Sequence, residues 1–480
     1  MRFQILSFAF HVLPMRTRLP FKYGIAVLSS LPHVFAEVEL VVDGRAVRGL
    51  SSEGLAPKWF TKNADTSLEQ DVAEMLAVIK NAARIGVNAA EKPVLFFNWW
   101  RDLYHEQASW AKVAEQPPLL ANLGTGLIEK AVLDGLCKAA GRPLHQLMGD
   151  PALGIDLGAV RGELGGMTVS QVLMPEPFRR IHARQTVGLA DPLRVSDIPA
   201  DERLDDGLPQ ALEELIRAYG LRYFKIKVCG NPEIDLPRLR EITGVLQEGC
   251  GQEFHCTLDG NEQFKTLESF REFYNVLASD PALKPLFASL LLIEQPLHRA
   301  HALADDVRAA FESWRDGPAM IIDESDGSLD DLPRALSLGY QGTSHKNCKG
   351  IVKSLANAAL LKKRGHMHLS GEDLAGVGPV AMIQDTAVAA MLGISHVERN
   401  GHHYFRGLSM YPQGLQERVL AVHGDFYHRH PQGYPTVNIQ GGRIELHSVN
   451  QAPFGCGAEL DMAWFEPLDK WIKRGGIGEL

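Results

Sequence analysis

Six residues, Tyr223-Phe224-Lys225-Ile226-Lys227-Val228, set the architecture of the rest. Charged and apolar residues alternate with period two. In a strand, Lys225 and Lys227 therefore point to one face, and Phe224, Ile226 and Val228 to the other. A strand with hydrocarbon along one face packs that face against helices, which leaves its lysines in an enclosed interior. Similar short runs recur on either side: one near His182–Leu189, then Phe254–Leu258, Leu290–Ile293, Met320–Ile322, Gly342–His345, His366–Leu369 and Ile394–Val397. Amphipathic stretches separate them, at Pro232–Leu246, Leu267–Leu277, Asp305–Arg315 and Ile351–Arg364. Eight strands alternating with helices predict a closed (β/α)8 barrel of the α/β class. An open doubly wound sheet is the alternative, but no glycine-rich dinucleotide loop follows its first strand, and Gly376-Val377-Gly378 lacks the third glycine.

The region before the barrel is α+β. Strands are predicted at Phe3–Val12, Val34–Val42 and Val47–Leu55, the last two joined as a hairpin by the Asp43-Gly44 turn. Helices follow from Ser67 to about Ile85, and over Gly126–Ala140 with a stop at Gly141-Arg142-Pro143. The proline-bearing stretch 189–210 reads as an inserted loop before the second barrel strand. Residues 1–145 thus form an α+β domain and 146–415 the barrel. Residues 416–480 form a closing segment that packs back on the N-terminal region.

The chain has 480 residues, of which 45% are hydrophobic and 22% charged, enough for a large core. Its net charge of −9 carries no basic surplus of the kind that duplex binding requires, so nucleic acid is not an expected partner. No apolar run is long enough to span a membrane, and Phe3–Pro14 reads as a first strand rather than a signal peptide. Six cysteines without metal or redox spacing suit reduced core thiols and a cytoplasmic protein. The pairs His402-His403 and His428/His430 have no third partner at zinc spacing.

In a barrel of this kind, reactive groups sit at the C-terminal ends of the strands. Those positions hold Lys225 and Lys227, then Asp259, Glu294, Asp323, Lys346, Glu372 and Glu398. From Lys227 onward the spacings are 32, 35, 29, 23, 26 and 26 residues, close to the ~30 of one βα unit. Each group therefore falls one strand further round the ring. Asp259, Glu294 and Asp323 would converge and repel one another, which a divalent cation relieves. Hard oxygen ligands without Cys or His suit Mg²⁺, with Mn²⁺ as the alternate ion. Two ammonium groups at i and i+2 lower each other's pKa, which frees one as a general base.

These features resemble the enolase superfamily, of the mandelate racemase/muconate lactonizing type. The resemblance rests on the paired lysines, Leu258-Asp259-Gly260-Asn261, Ile293-Glu294-Gln295-Pro296, Asp323-Glu324-Ser325, the helix region Glu129–Gly149 and the tail Pro453–Asp461. It implies a barrel under an N-terminal capping domain that the C-terminal segment completes. It also implies Mg²⁺ held by Asp259, Glu294 and Asp323, with Glu324 as a neighbouring candidate for the third ligand. The reaction implied is loss of the α-proton of a small carboxylate through a metal-stabilised enediolate. Lys227 would be one base, and Lys225 would hold the carboxylate. A lysine on the sixth strand resembles the muconate cycloisomerase subgroup, which makes Lys346 the base on the opposite face. The run Lys346-Asn347-Cys348-Lys349-Gly350-Ile351 departs from that group's usual spacing, so Lys349 and His345 remain alternatives.

Glu372, Glu398 and Asn261 would touch the substrate, together with Tyr23 and Lys58 from the cap. Cap loops near Arg18–Gly24 and Ser52–Phe60, carrying Arg18, Lys22 and Trp59, suggest an anionic or hydroxylated substrate. Glu398-Arg399-Asn400 lacks the Asp-x-Asp pair of dipeptide epimerases. Racemisation, epimerisation or cycloisomerisation is expected, in a homo-oligomer. Dehydration of a sugar acid, a non-catalytic anion-binding barrel and a Schiff-base aldolase are the rival functions.

Overall fold

The computed structural model describes all residues except Gly24, Ile25, His366, Ala375 and Leu480, with backbone alone for Tyr23 and Ala26. Three antiparallel strands, β1 (Phe3–Tyr23), β2 (Ala26–Val42) and β3 (Arg45–Gly54), open the chain. The Asp43-Gly44 hairpin forms as expected, with Val42 opposite Arg45. The β1–β2 ribbon runs about ten residues beyond the predicted strands, from Phe3↔Val42 to Tyr23↔Ala26. Proline normally ends a strand. Here Pro14 stands opposite Pro32, and Pro20 falls in a register shift between Arg16 and Phe21. The stretch expected to be a cap loop at Arg18–Gly24 is therefore strand as far as Tyr23.

Helices α1 (Leu68–Ala89), α2 (Phe96–Val113) and α3 (Pro118–Ala140) cover one face of this sheet. A capping box at Ser67 and Gln70 starts α1, and Gly141, at φ 61°, ends α3. Gly49 on β3 lies directly against α3, where a Cβ would stand 2.0 Å from the Ala131 carbonyl oxygen. Only glycine permits that approach.

The barrel strands are β4 (Arg180–Val187), β5 (Tyr223–Lys227), β6 (His255–Asp259), β7 (Leu290–Glu294), β8 (Met320–Ile321), β9 (Gly342–His345), β10 (His368–Gly371) and β11 (His396–Glu398). All eight pair in parallel in the order β8-β7-β6-β5-β4-β11-β10-β9, and the bridge Ile322↔Thr343 joins the two ends. The predicted (β/α)8 barrel is what the chain forms. The strand predicted at His366–Leu369 runs two residues later, and His366 lies outside the described residues. Helices after β4 (212–219), β8 (331–338) and β10 (378–392) complete alternations that the sequence had not revealed.

Residues Arg443–Glu445 pair antiparallel with β4, and Glu466–Pro467 pair with His11 and Val12 of β1. The tail thus touches the barrel first and the N-terminal sheet last. Arg18 leaves the ribbon to meet the 189–210 loop, where it forms an ion pair with Asp206 at 2.6 Å and donates to the Leu208, Pro209 and His403 carbonyls.

Candidate active site

The chemistry-bearing residues stand where the strands end. Lys227, Asp259, Glu294 and Glu398 are the last residues of β5, β6, β7 and β11, and Lys346 and Glu372 directly follow β9 and β10. Asp323 lies two residues past β8. In an eight-membered ring, β5 and β9 are four strands apart. Lys227 and Lys346 therefore approach the same cleft from opposite walls, and both line it with Asp259, Asp323, Glu324 and Glu398.

Lys225 is the hub of the barrel mouth. Its Nζ lies 2.9 Å from Glu294 Oε1, 2.7 Å from Glu372 Oε2, and 3.3 Å from both Asp259 Oδ2 and Glu398 Oε2. Burial disfavours its charge, but four carboxylates from β6, β7, β10 and β11 outweigh burial and hold the ammonium well above its ordinary pKa. Lys227 stands 3.3 Å from Asp259 Oδ2. Burial lowers its pKa too, and Asp259 more than restores it. Lys225 does lower the Lys227 pKa, as expected, but the surrounding acids outweigh it and the net shift is upward.

Asp323 is held from the other wall. Lys346 Nζ reaches its Oδ2 at 2.6 Å and Lys349 Nζ its Oδ1 at 2.9 Å, while Ser344 Oγ donates to Oδ1. Burial alone would raise the pKa of this carboxyl, but Lys346 and Lys349 drive it well below the usual range. Gln295 orients the turn, accepting from the Asp323 N–H at 2.7 Å and donating to Ser325 Oγ at 2.8 Å. That role is absent from the sequence reading, although Gln295 stands inside the quoted Ile293–Pro296 motif.

The three sixth-strand candidates separate by position. Lys346 faces the cleft, with Nζ 4.7 Å from the centre of the Trp59 ring. Lys349 is fully enclosed, donating to Asp323 and Ser344. His345 points outward to Ser354 Oγ at 2.8 Å, and burial pulls its pKa down to about 4.

Arg184 on β4, also absent from the sequence reading, forms an ion pair with Glu372. It occupies an alternating strand position, but no motif singles it out. Glu398 accepts from Thr186 Oγ1 and from Asn400 Nδ2 at 2.9 Å.

The cap contributions differ from expectation. Lys58 lines the cleft, but its ammonium is bound by Asp71 at 3.2 Å and by the Asn63 carbonyl at 2.8 Å. Arg18 is buried against Asp206, Lys22 is exposed, and the Tyr23 side chain lies outside the described residues. Asn261 lines the cleft at φ 43°, and its carbonyl accepts from Lys62 at 2.9 Å.

The donor chemistry fits a hard divalent cation. Glu294 Oε2 is buried with no hydrogen-bond partner, and burial plus the nearby Glu372 raise that carboxyl well above its usual pKa. Glu324 Oε2 is likewise unpartnered, its carboxyl pushed up to about 7 by burial and Asp323. Both are marks of missing positive charge. Asp259, Glu294 and Asp323 share the barrel mouth, close enough that Asp259 and Asp323 both raise the Glu294 carboxyl, but ammonium groups rather than one common point hold their oxygens. Among the described residues no group of three or more such side chains is arranged to hold a metal ion. Asp259 and Glu294 turn to Lys225 instead, and Asp323 turns to Lys346 and Lys349, because ammonium groups supply the compensating charge.

No protein-family model matches the chain, and no curated protein matches its sequence. Its fold matches many solved structures. A mandelate racemase/muconate lactonizing protein from Herpetosiphon aurantiacus superposes with a TM-score of 0.62 at 18% identity, over 95% of this chain and 99% of that one. An enolase from Bradyrhizobium complexed with magnesium and mandelic acid gives 0.58 at 15% identity, over 93% and 94%. A dipeptide epimerase from Enterococcus faecalis complexed with Mg and L-Leu-L-Tyr gives 0.60 at 16%, over 94% and 99%. The barrel with an N-terminal antiparallel-sheet domain is thus the fold of these structures, and at such identities the likeness concerns the fold alone.

Proposed function

We propose that this chain is an enolase-superfamily enzyme that removes the α-proton of a small carboxylate and returns a proton to the resulting carbanion, as a racemase, epimerase or cycloisomerase. The observation that carries this reading is the placement of Lys227 and Lys346 on diametrically opposed strands, facing one cleft with carboxylates between them. Asp259, Glu294 and Asp323 would hold Mg²⁺, which when bound supplies the charge that stabilises an enediolate.

This chain's own residues supply the rest. Lys227 Nζ, held as an ammonium beside Asp259, first gives up a proton to solvent and then takes the α-proton on one face of the carbon. Lys346 Nζ delivers or takes it on the other, its position fixed by Asp323 and Trp59. Lys225 gathers four acids into one rigid floor, which keeps the carboxylates preorganised. Gln295 fixes the Asp323 turn. Trp59 and Phe21 line the cleft with buried hydrocarbon, which limits the water it can hold. Dehydration would share the first step, but two opposed bases favour reprotonation. We place the enzyme in the cytoplasm as a homo-oligomer, and among the described residues no helix is long and apolar enough to cross a membrane.

The test is deuterium uptake at the α-carbon in D₂O with Mg²⁺, over a panel of hydroxy acids, amino-acid derivatives and sugar acids. Uptake that Lys227→Ala loses from one enantiomer of the acid turned over is the expected result. Uptake undiminished in that variant would remove Lys227 from the role.

A further inference from the structure

One wall of the cleft is lined by residues of the cap, and the cap's charges are already matched. Lys58 is neutralised by Asp71 and three oxygen acceptors of the 63–66 turn. Lys62 pairs with Glu262 at 3.1 Å, and Arg299 clamps the same carboxylate at 2.7 Å while donating to the Trp59 and Phe60 carbonyls. The apolar side chains lining the cleft are Phe21, Ala56 and Trp59 from the cap and Leu374 from the loop after β10, and the barrel adds the polar Thr186, Asp373 and Asn400. Phe21 and Trp59 are almost wholly buried, at 7% and 8% exposure, so their rings are held in place before any ligand arrives. Phe21 is further braced by Tyr404, ring centroids 4.2 Å apart.

An anionic distal group would have to break one of these cap ion pairs, and a polyol chain would lose hydration against hydrocarbon walls. An aryl or branched-alkyl group loses nothing there and gains burial. We propose that the substrate is a carboxylate whose distal end is aryl or branched alkyl, with neither a second anionic group nor a polyhydroxyl chain. This rests on the proposed function only in placing the carboxylate end at the lysines and acids.

Calorimetric titration of the full-length protein in Mg²⁺ with 3-phenyllactate, gluconate and glutarate tests it, because binding reports on the cleft whether or not exchange occurs. Phenyllactate is expected to bind at least tenfold more tightly than either of the others. Leu374→Arg, at a half-buried position, should lose that preference and gain affinity for glutarate. Tighter binding of gluconate or glutarate by the native protein, or binding of none of the three at millimolar concentration, would overturn the proposal. Preferential phenyllactate binding without α-exchange of any acid would sink the proposed function and leave this inference standing.

Discussion

The ammonium of Lys346 lies 4.7 Å from the centre of the Trp59 ring, so a barrel strand end and a cap loop meet at the lysine proposed as a base. The ring face attracts the cation, and the cap is thereby coupled to the position of a residue that the barrel supplies. A cation–π contact of this kind contributes ~0.5–2 kcal/mol. Trp59→Ala should therefore reduce kcat/KM for α-exchange by roughly 2- to 30-fold. Trp59→Phe should recover most of that loss. Equal losses in the two variants would show that the ring face is irrelevant.

Opposed bases make a stereochemical prediction. Lys227→Ala should suppress exchange from one enantiomer of a chiral substrate by about 10²- to 10⁴-fold, and Lys346→Ala from the other. Proton NMR of each enantiomer in D₂O separates them. Loss of both enantiomers' exchange in both variants would mean that the lysines do not act on separate faces.

Divalent-ion dependence has a readout besides activity. Mg²⁺ should raise the Tm of EDTA-treated protein by a few degrees, since a ligand bound only by the native state stabilises it. Glu294→Gln, which removes the acid with the unpartnered buried oxygen, should abolish that rise. A Tm insensitive to Mg²⁺ in the native protein would argue that the lysines already supply the positive charge these acids need.

Glu129 on α3 gives a pH prediction for stability. Its carboxylate accepts from the Ile351 and Val352 N–H groups, at 2.9 and 2.8 Å, and so ties the cap to the start of a barrel helix. Burial nevertheless raises its pKa from 4.5 to about 7, against those two donors. The folded state then binds more protons than the unfolded state between these values, so this group's contribution to stability falls as pH rises through that window. At about 1.4 kcal/mol per unit, the full span is about 3 kcal/mol. Urea unfolding across the window should show a shallower decline in Glu129→Gln than in the native protein. Parallel slopes would refute the assignment.

The barrel was legible because short βα units repeat. Residues such as Phe224 and Ile226 must face helices while Lys225 and Lys227 face inward, and that alternation survives in a single sequence. The strand-end acids were legible for the same reason. The cap was less so. Pro14 and Pro20 look like strand stops, yet pairing Pro14 against Pro32 and placing Pro20 in a register shift let the ribbon continue. Helix α2 passed unnoticed, although Phe96, Phe97, Trp99, Trp100 and Leu103 all lie buried along it. Arg184 was missed because a lone arginine in a strand has no local partner to announce it.

Local periodicity alone determined the parallel barrel, the order of the charged residues at its strand ends and the presence of a separate α+β unit, since strand alternation and βα spacing are properties of neighbours in the chain. Only tertiary structure decided which charges remain available. The ion-pair partners of Lys58, Arg18, Lys225 and Asp323 come from as far as 188 residues away, and an ion pair depends on distance in space rather than along the chain.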